Sequence, residues 1–175
     1  MSHLKVVLIG LPGSGKSTFG RKLAKAAEVD FLDLDQLIEL KEKRKIPEIF
    51  NQDGEETFRR IESKTLQEIL DQEQSFVLAS GGGCPCFNDN MSLIKEKSTS
   101  VYLDLPVESI SSRLNNAQYQ KRPMFEGMDK AQILAKVKQL KIEREPFYNL
   151  ADIKLTGEDF SAEILIQELI RQIKS

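Results

Sequence analysis

Gly10-Leu11-Pro12-Gly13-Ser14-Gly15-Lys16-Ser17 decides the fold. The octet fits G-x-x-x-x-G-K-[ST] with no mismatch, and it lies between the apolar run Leu4–Ile9 and the helix-periodic stretch Ser17–Ala27. A short strand stopped by glycine and followed by a helix opens a βαβ unit. In such a loop the glycines let backbone N–H groups turn inward onto phosphate oxygens, and the helix start adds the positive end of its dipole. Lys16 supplies a point charge for β- and γ-phosphates, and the Ser17 hydroxyl is a hard oxygen ligand for Mg²⁺. Gly13, Ser14, Gly15 and Thr18 belong to the same expected ATP-binding surface. The octet says only that a nucleotide binds. No N-K-x-D guanine-reading motif occurs, and Phe76–Ala79 runs into Ser80 and glycines where a Walker-B strand would close on Asp. The acidic partner of the metal must come from elsewhere.

Outward from the loop, Phe31-Leu32-Asp33 reads as a second strand, and helical periodicity runs from Gln36 and, after Pro47, to about Leu70. Ser75–Ala79 and Thr99–Leu105 read as third and fourth strands, the latter followed by a helix opened at Pro106. The polar stretch 115–127 has no periodicity and predicts a mobile lid loop. Lys130–Tyr148 predicts a long helix, Ile153–Leu155 a fifth strand and Ser161–Ile173 a last amphipathic helix. Strands alternating with helices imply an α/β fold with a parallel sheet covered on both faces.

The 175 residues suit one domain, 1–175, and the 40% apolar, 30% charged balance is that of a globular protein. A net charge of −2, with no basic stripe, argues against a nucleic-acid partner. Cys84 and Cys86 with the single His3 are too few for a zinc site and read as free thiols of a reducing cytosol. Leu4–Ile9 is too short for a secretion signal or a membrane span, so a soluble cytoplasmic protein is expected. No long exposed apolar stripe is evident, which predicts a monomer.

Asp33-Leu34-Asp35 follows the second strand, and alternation on extended backbone would aim both carboxylates out from the carboxyl edge of the sheet, where open α/β folds bind ligands. Asp33 can then hold Mg²⁺ through a water while Asp35 meets an acceptor hydroxyl; either can instead cap the next helix. Arg59 carries a planar fork suited to a carboxylate, with Glu62 at i+3 on the same face. Spacing alone favours an ordinary surface ion pair here. Gly81-Gly82-Gly83 can bring backbone N–H groups close to a ligand or simply make a tight turn, with Cys84-Pro85-Cys86 as a pocket wall beyond. Arg122 in the lid loop can act as a transition-state cation or stay solvated. Arg144, flanked by Glu143 and Glu145, is ambiguous by itself.

Together these segments resemble the shikimate kinases, a family of small P-loop kinases related in fold to nucleoside monophosphate kinases. The resemblance spans about Lys5 to Asp152 and rests on Gly10–Ser17, Asp33-x-Asp35, Phe58–Glu62, Gly81–Gly83, Arg122-Pro123 and Arg144-x-Pro146-x-Tyr148, in the family's order. It implies a three-layer α/β/α P-loop fold with five parallel strands ordered 2-3-1-4-5. The implied reaction is transfer from ATP, with Mg²⁺, to the 3-hydroxyl of shikimate, a step of chorismate and aromatic amino-acid biosynthesis. By matching positions, Asp35 would bind the ring hydroxyls, and Arg59 and Arg144 would grip the carboxylate beside backbone at Gly81 and Gly82. Lys16 and Arg122 would act on the phosphates, Arg113 would lie near the adenine, and Ser17 with Asp33 would serve Mg²⁺. Segment 33–62 would then be the acceptor-binding part. Gluconate also carries a carboxylate and hydroxyls, but the Asp33-x-Asp35 and Phe58–Glu62 combination favours shikimate. A nucleotide-binding module without turnover would lack a catalytic charge, whereas Lys16, Ser17, Asp33, Asp35 and Arg122 are all present.

Overall fold

The apolar run before the glycine loop forms β1 (Lys5–Ile9) in the computed structural model, which describes residues 3–116 and 123–174. Val6 to Ile9 are all fully buried, as a strand covered on both faces requires. The other strands are β2 (Asp30–Asp33), β3 (Phe76–Ala79), β4 (Thr99–Asp104) and β5 (Ile153–Thr156). All pairs are parallel, in the order β2-β3-β1-β4-β5 implied by the resemblance. The helices flanking this sheet are α1 (Lys16–Ala27), α2 (Leu34–Glu42), α3 (Ile46–Leu70), α4 (Asn90–Lys97), α5 (Val107–Leu114), α6 (Lys130–Tyr148) and α7 (Ala162–Lys174). Because β2, β3 and β1 are neighbours and parallel, the segments leaving their carboxyl ends meet in one place. Those segments are Asp33–Asp35, Ser80–Gly83 and Gly10–Ser17.

Four local features differ from the sequence reading. Helix α2 begins at Leu34, so Asp33 and Asp35 do not share an extended strand. Asp33 sits at φ −120°, ψ 116° as the N-cap, its Oδ1 accepting from Gln36 N at 3.3 Å. Asp35 falls in the first helical turn, where the dipole favours a negative charge. Secondly, α3 is broken at Gly54, whose φ of 83° and ψ of 168° suit glycine alone. The break separates Ile46–Phe50 from the turn carrying Arg59 and Glu62, and so lets both halves face one cavity. Thirdly, Cys84–Cys86 is a 3₁₀ turn behind the glycines rather than a wall lining the cavities, closed by Cys84 N to Gly81 O at 3.1 Å and Cys86 N to Gly83 O at 2.9 Å. Finally, α4 was not expected. The polar Asn88–Asn90 segment hides its start, where Asn88 and Asp89 adopt left-handed conformations, and Met91 and Ile94 are its buried anchors.

Candidate active site

Two cavities meet at the carboxyl edge of the sheet. The smaller, about 120 Å³, is walled by the glycine loop, with Lys16, Ser17, Thr18, Asp33 and Asp35 among its lining. Gly13 and Gly15, at φ 82° and 85°, turn their N–H groups as the loop needs. Lys16 is buried, and its Nζ donates to Gly10 O at 2.8 Å and Leu11 O at 3.0 Å, which holds the ammonium inside the loop. Ser14 Oγ is buried with no hydrogen-bond partner among the described residues. The guanidinium of Arg113 lies against the loop, its Nη1 3.2 Å from where a β-carbon on Gly15 would sit.

Ser17 Oγ donates to Asp33 Oδ2 at 2.9 Å, so a hydroxyl from α1 and a carboxylate from the end of β2 converge at the cavity floor. Asp33 therefore both caps α2 and lines the smaller cavity. No cluster of three His, Cys, Asp or Glu side chains that could hold a metal occurs among the described residues. The hard oxygens of Ser17 and Asp33 fit Mg²⁺, which takes few protein ligands and completes its shell with water and substrate phosphates.

The larger cavity, about 690 Å³, shares Asp35, Gly81 and Gly82 with the first. One end carries Arg59, Glu62 and Arg144; the other is apolar, with Pro47, Phe50, Phe58, Met124 and Phe125. Phe50 and Phe58 stack with ring centroids 4.6 Å apart, and Phe125 is buried. Arg59 and Glu62 are no surface pair. Their side chains are 10% and 2% exposed, and Arg59 Nη1 donates to Glu62 Oε1 at 3.0 Å. Glu55 Oε1 accepts from Arg59 Nε and Nη2 at 3.3 and 3.2 Å, and the guanidinium lies 4.0 Å from the Phe87 ring centroid. Arg144 is 8% exposed, and its Nη1 has no hydrogen-bond partner among the described residues. The Arg144 guanidinium borders the larger cavity, while Nη1 itself is enclosed beside Gly82 and keeps a donor to spare.

The glycine triplet works by what it lacks. A β-carbon on Gly81 would stand 3.2 Å from both Asp35 Oδ1 and Glu62 Oε2; one on Gly82 would stand 2.9 Å from Pro12 Cδ and 3.0 Å from Arg144 Nη1. One on Gly83 would stand 2.8 Å from Arg59 Nη2. All three positions let charged groups from α2, α3 and α6 close on the strand end. Tyr148 locks this arrangement by donating its hydroxyl to Gly82 O at 2.5 Å.

Burial pushes the Glu62 carboxyl up to about 7, against the pull of the Arg59 charge and hydrogen bond. Burial likewise raises the buried Cys84 thiol, and Cys86 reaches about 11, so neither is a ready nucleophile. Of the site residues predicted from sequence, Lys16, Ser17, Asp33, Asp35, Arg59, Gly81, Gly82 and Arg144 line the two cavities. Arg122 lies outside the described residues. The sequence reading missed the roles of Glu55, Phe50, Phe87 and Tyr148; the Glu55–Arg59 spacing of i, i+4 and the place of Tyr148 in Arg144-x-Pro146-x-Tyr148 were the signals available.

The sequence profile of a family described as shikimate kinase matches residues 12–174. A shikimate kinase of Azobacteroides pseudotrichonymphae genomovar. CFP2 is 37% identical over 97% of this chain and 99% of its own length. One from Sulfurihydrogenibium sp. (strain YO3AOP1) is 38% identical over 97% of each chain. Among solved structures, the shikimate kinase from Acinetobacter baumannii in complex with shikimate superposes with a TM-score of 0.83 at 32% identity, covering 99% of this chain and 94% of that one. A gluconokinase from Sinorhizobium meliloti 1021, covering 99% of this chain and 93% of its own, shares the fold at a TM-score of 0.54 and 14% identity.

Proposed function

The chain belongs to the shikimate kinase family, and on that premise we propose that it transfers the γ-phosphoryl group of ATP to the 3-hydroxyl of shikimate. The products are ADP and 3-phosphoshikimate, in the pathway to chorismate and the aromatic amino acids. The observation that carries this reading is the pair of cavities joined at Asp35, Gly81 and Gly82. One has the donors that phosphates need. The other has two guanidinium groups for a carboxylate and an apolar wall for a ring.

In the proposed mechanism, loop N–H groups and Lys16 hold the phosphates in line with the acceptor, and positioning with charge stabilisation supplies most of the catalysis. Asp35, at the junction, accepts a hydrogen bond from the attacking hydroxyl and takes its proton as the bond to phosphorus forms. Arg59 and Arg144 fix the acceptor by its carboxylate. Ser17 would hold Mg²⁺ with its hydroxyl and Asp33 would do so through a water, and the ion would supply positive charge to the phosphate oxygens. Arg122 is assigned the lid cation, and Arg113 the edge of the adenine site, by the family resemblance; the Arg113 guanidinium lies against Gly15 of the loop.

The reading extends to one domain, with 33–62 binding the acceptor and 115–127 closing over it, acting as a cytoplasmic monomer without nucleic-acid or membrane partners. The free thiols of Cys84 and Cys86 suit that compartment, and no helix among the described residues is long and apolar enough to cross a membrane. Phosphorus NMR and mass measurement of the product test the reaction. One phosphoryl group on the 3-oxygen, equimolar with ADP, is expected; ADP without phosphorylated shikimate contradicts it.

A further inference from the structure

Glu62 is almost fully enclosed, and charged or titratable groups face it from every neighbouring element. Arg59 faces it from its own helix, Asp35 from α2, Arg144 from α6, and Cys84 and Cys86 from the turn after β3. Arg59 is already committed, with Nη1 donating to both Glu62 oxygens at 3.0 and 3.3 Å and its other nitrogens to Glu55. Asp35 Oδ1 and Glu62 Oε2 each lie 3.2 Å from where a β-carbon on Gly81 would stand, so beside Gly81 the two arginines face two carboxylates, with the exposed Glu55 at the rim. A carboxylate-bearing acceptor that docks on Arg144 and shares Arg59 brings a further negative charge beside the Glu62 carboxylate, whose side chain is only 2% exposed. Such a charge is costly unless something neutralises it.

Three carboxylates could respond. The Glu55 side chain is 58% exposed and keeps its hydration. Asp35 faces the acceptor hydroxyls and the phosphates. Glu62 is buried against the fork that the acceptor must share. We propose that binding of the acceptor carboxylate is coupled to protonation of Glu62, which releases part of the Arg59 fork to the ligand and keeps the pocket's charge balanced. The inference rests on the acceptor assigned above, and the burial that lifts the Glu62 carboxyl to about 7 makes the proton available near neutrality. Glu62 is thus a positioning residue that acts through Arg59.

Acceptor affinity should then fall as pH rises above 7, by up to about tenfold per unit while Glu62 is ionised in the free protein and protonated in the complex. The test is calorimetric titration of the full chain with shikimate at pH 7.5, in phosphate and in Tris, whose ionisation enthalpies differ widely. Coupling predicts a binding enthalpy that shifts with buffer by the uptake of most of one proton, and Glu62→Gln should abolish both this shift and the pH dependence of Kd. Tight binding with the same enthalpy in both buffers overturns the proposal, as does full buffer dependence in Glu62→Gln. Absence of shikimate binding together with absence of turnover overturns the acceptor assignment and this inference with it. Should Glu62→Gln fail to fold, carbon NMR of labelled glutamate carboxyls in the native chain decides. One resonance titrating near 7 and moving to higher pH with shikimate supports coupling; an unmoved titration refutes it.

Discussion

A β-carbon on Gly83 would stand 2.8 Å from Arg59 Nη2 and 2.9 Å from Nη1, so the strand end and the guanidinium fit only because residue 83 has no side chain. Gly83 has an ordinary φ of −85°, which alanine adopts without strain. Gly83→Ala should therefore fold and displace the fork. We expect the KM for shikimate to rise about tenfold, equivalent to ~1.4 kcal/mol of lost binding, with the KM for ATP unchanged. Steady-state kinetics with each substrate varied in turn would show it, and an unaltered shikimate KM would remove Arg59 from the clamp.

Asp35 lies where the two cavities join. Asp35→Asn keeps the shape of the side chain and removes the proton acceptor. A kcat lower by about 10²–10⁴-fold, with ATP affinity intact, is expected for a lost general base. Turnover close to that of the unaltered chain would assign Asp35 to orientation or structure instead.

Arg59→Ala and Arg144→Ala should separate. Both weaken acceptor binding, but removing Arg59 leaves Glu62 buried without its partner, at a cost of about 3–5 kcal/mol in stability. Arg144 acts on Glu62 by its charge alone, without the direct hydrogen bonds that Arg59 makes, so its replacement should cost less. Urea unfolding of the two variants side by side gives the comparison, and equal losses would contradict the difference in pairing.

Ser17→Ala deletes the hydroxyl that faces Asp33 at 2.9 Å. The free Mg²⁺ needed for half-maximal rate should rise about tenfold or more if that oxygen is an inner ligand, since one lost charge-assisted contact is worth about 1.5–3 kcal/mol. An unchanged Mg²⁺ dependence would place the metal elsewhere.

Glu62 also makes stability depend on pH with a definite sign. Its carboxyl is raised from 4.5 to about 7 by burial, so between these values the folded chain holds a proton that the unfolded chain has lost. The contribution is full below 4.5 and is lost as pH rises through 7, reaching about 3 kcal/mol. The unfolding free energy of the native chain relative to Glu62→Gln should fall by that amount between pH 4.5 and pH 8. A difference that stays constant with pH would show that Glu62 is not displaced from its ordinary range.

What was legible in the sequence follows from where each piece of chemistry gets its parts. The phosphate loop could be read outright because its donors, ammonium and hydroxyl are contiguous. The proposed carboxylate clamp could not, because Arg59 owes its burial to Phe87 and the Gly83 turn, and Arg144 owes its orphaned nitrogen to the approach of Gly82. Local spacing shows Glu143 and Glu145 beside Arg144 but not that the guanidinium points away from solvent. Asp33 and Asp35 line the smaller cavity by a route other than alternation, since β2 ends at Asp33, which caps α2, and Asp35 lies in the first helical turn. The break at Gly54 and helix α4 escaped notice because neither interrupts an apolar period strongly enough to be read locally.

The central claim is that this site phosphorylates shikimate, and coupled ADP production tests it most directly, with Mg-ATP and shikimate, gluconate or a nucleoside monophosphate in parallel. The account predicts turnover with shikimate alone. Turnover with another acceptor and none with shikimate, or no turnover with any of the three, would contradict it.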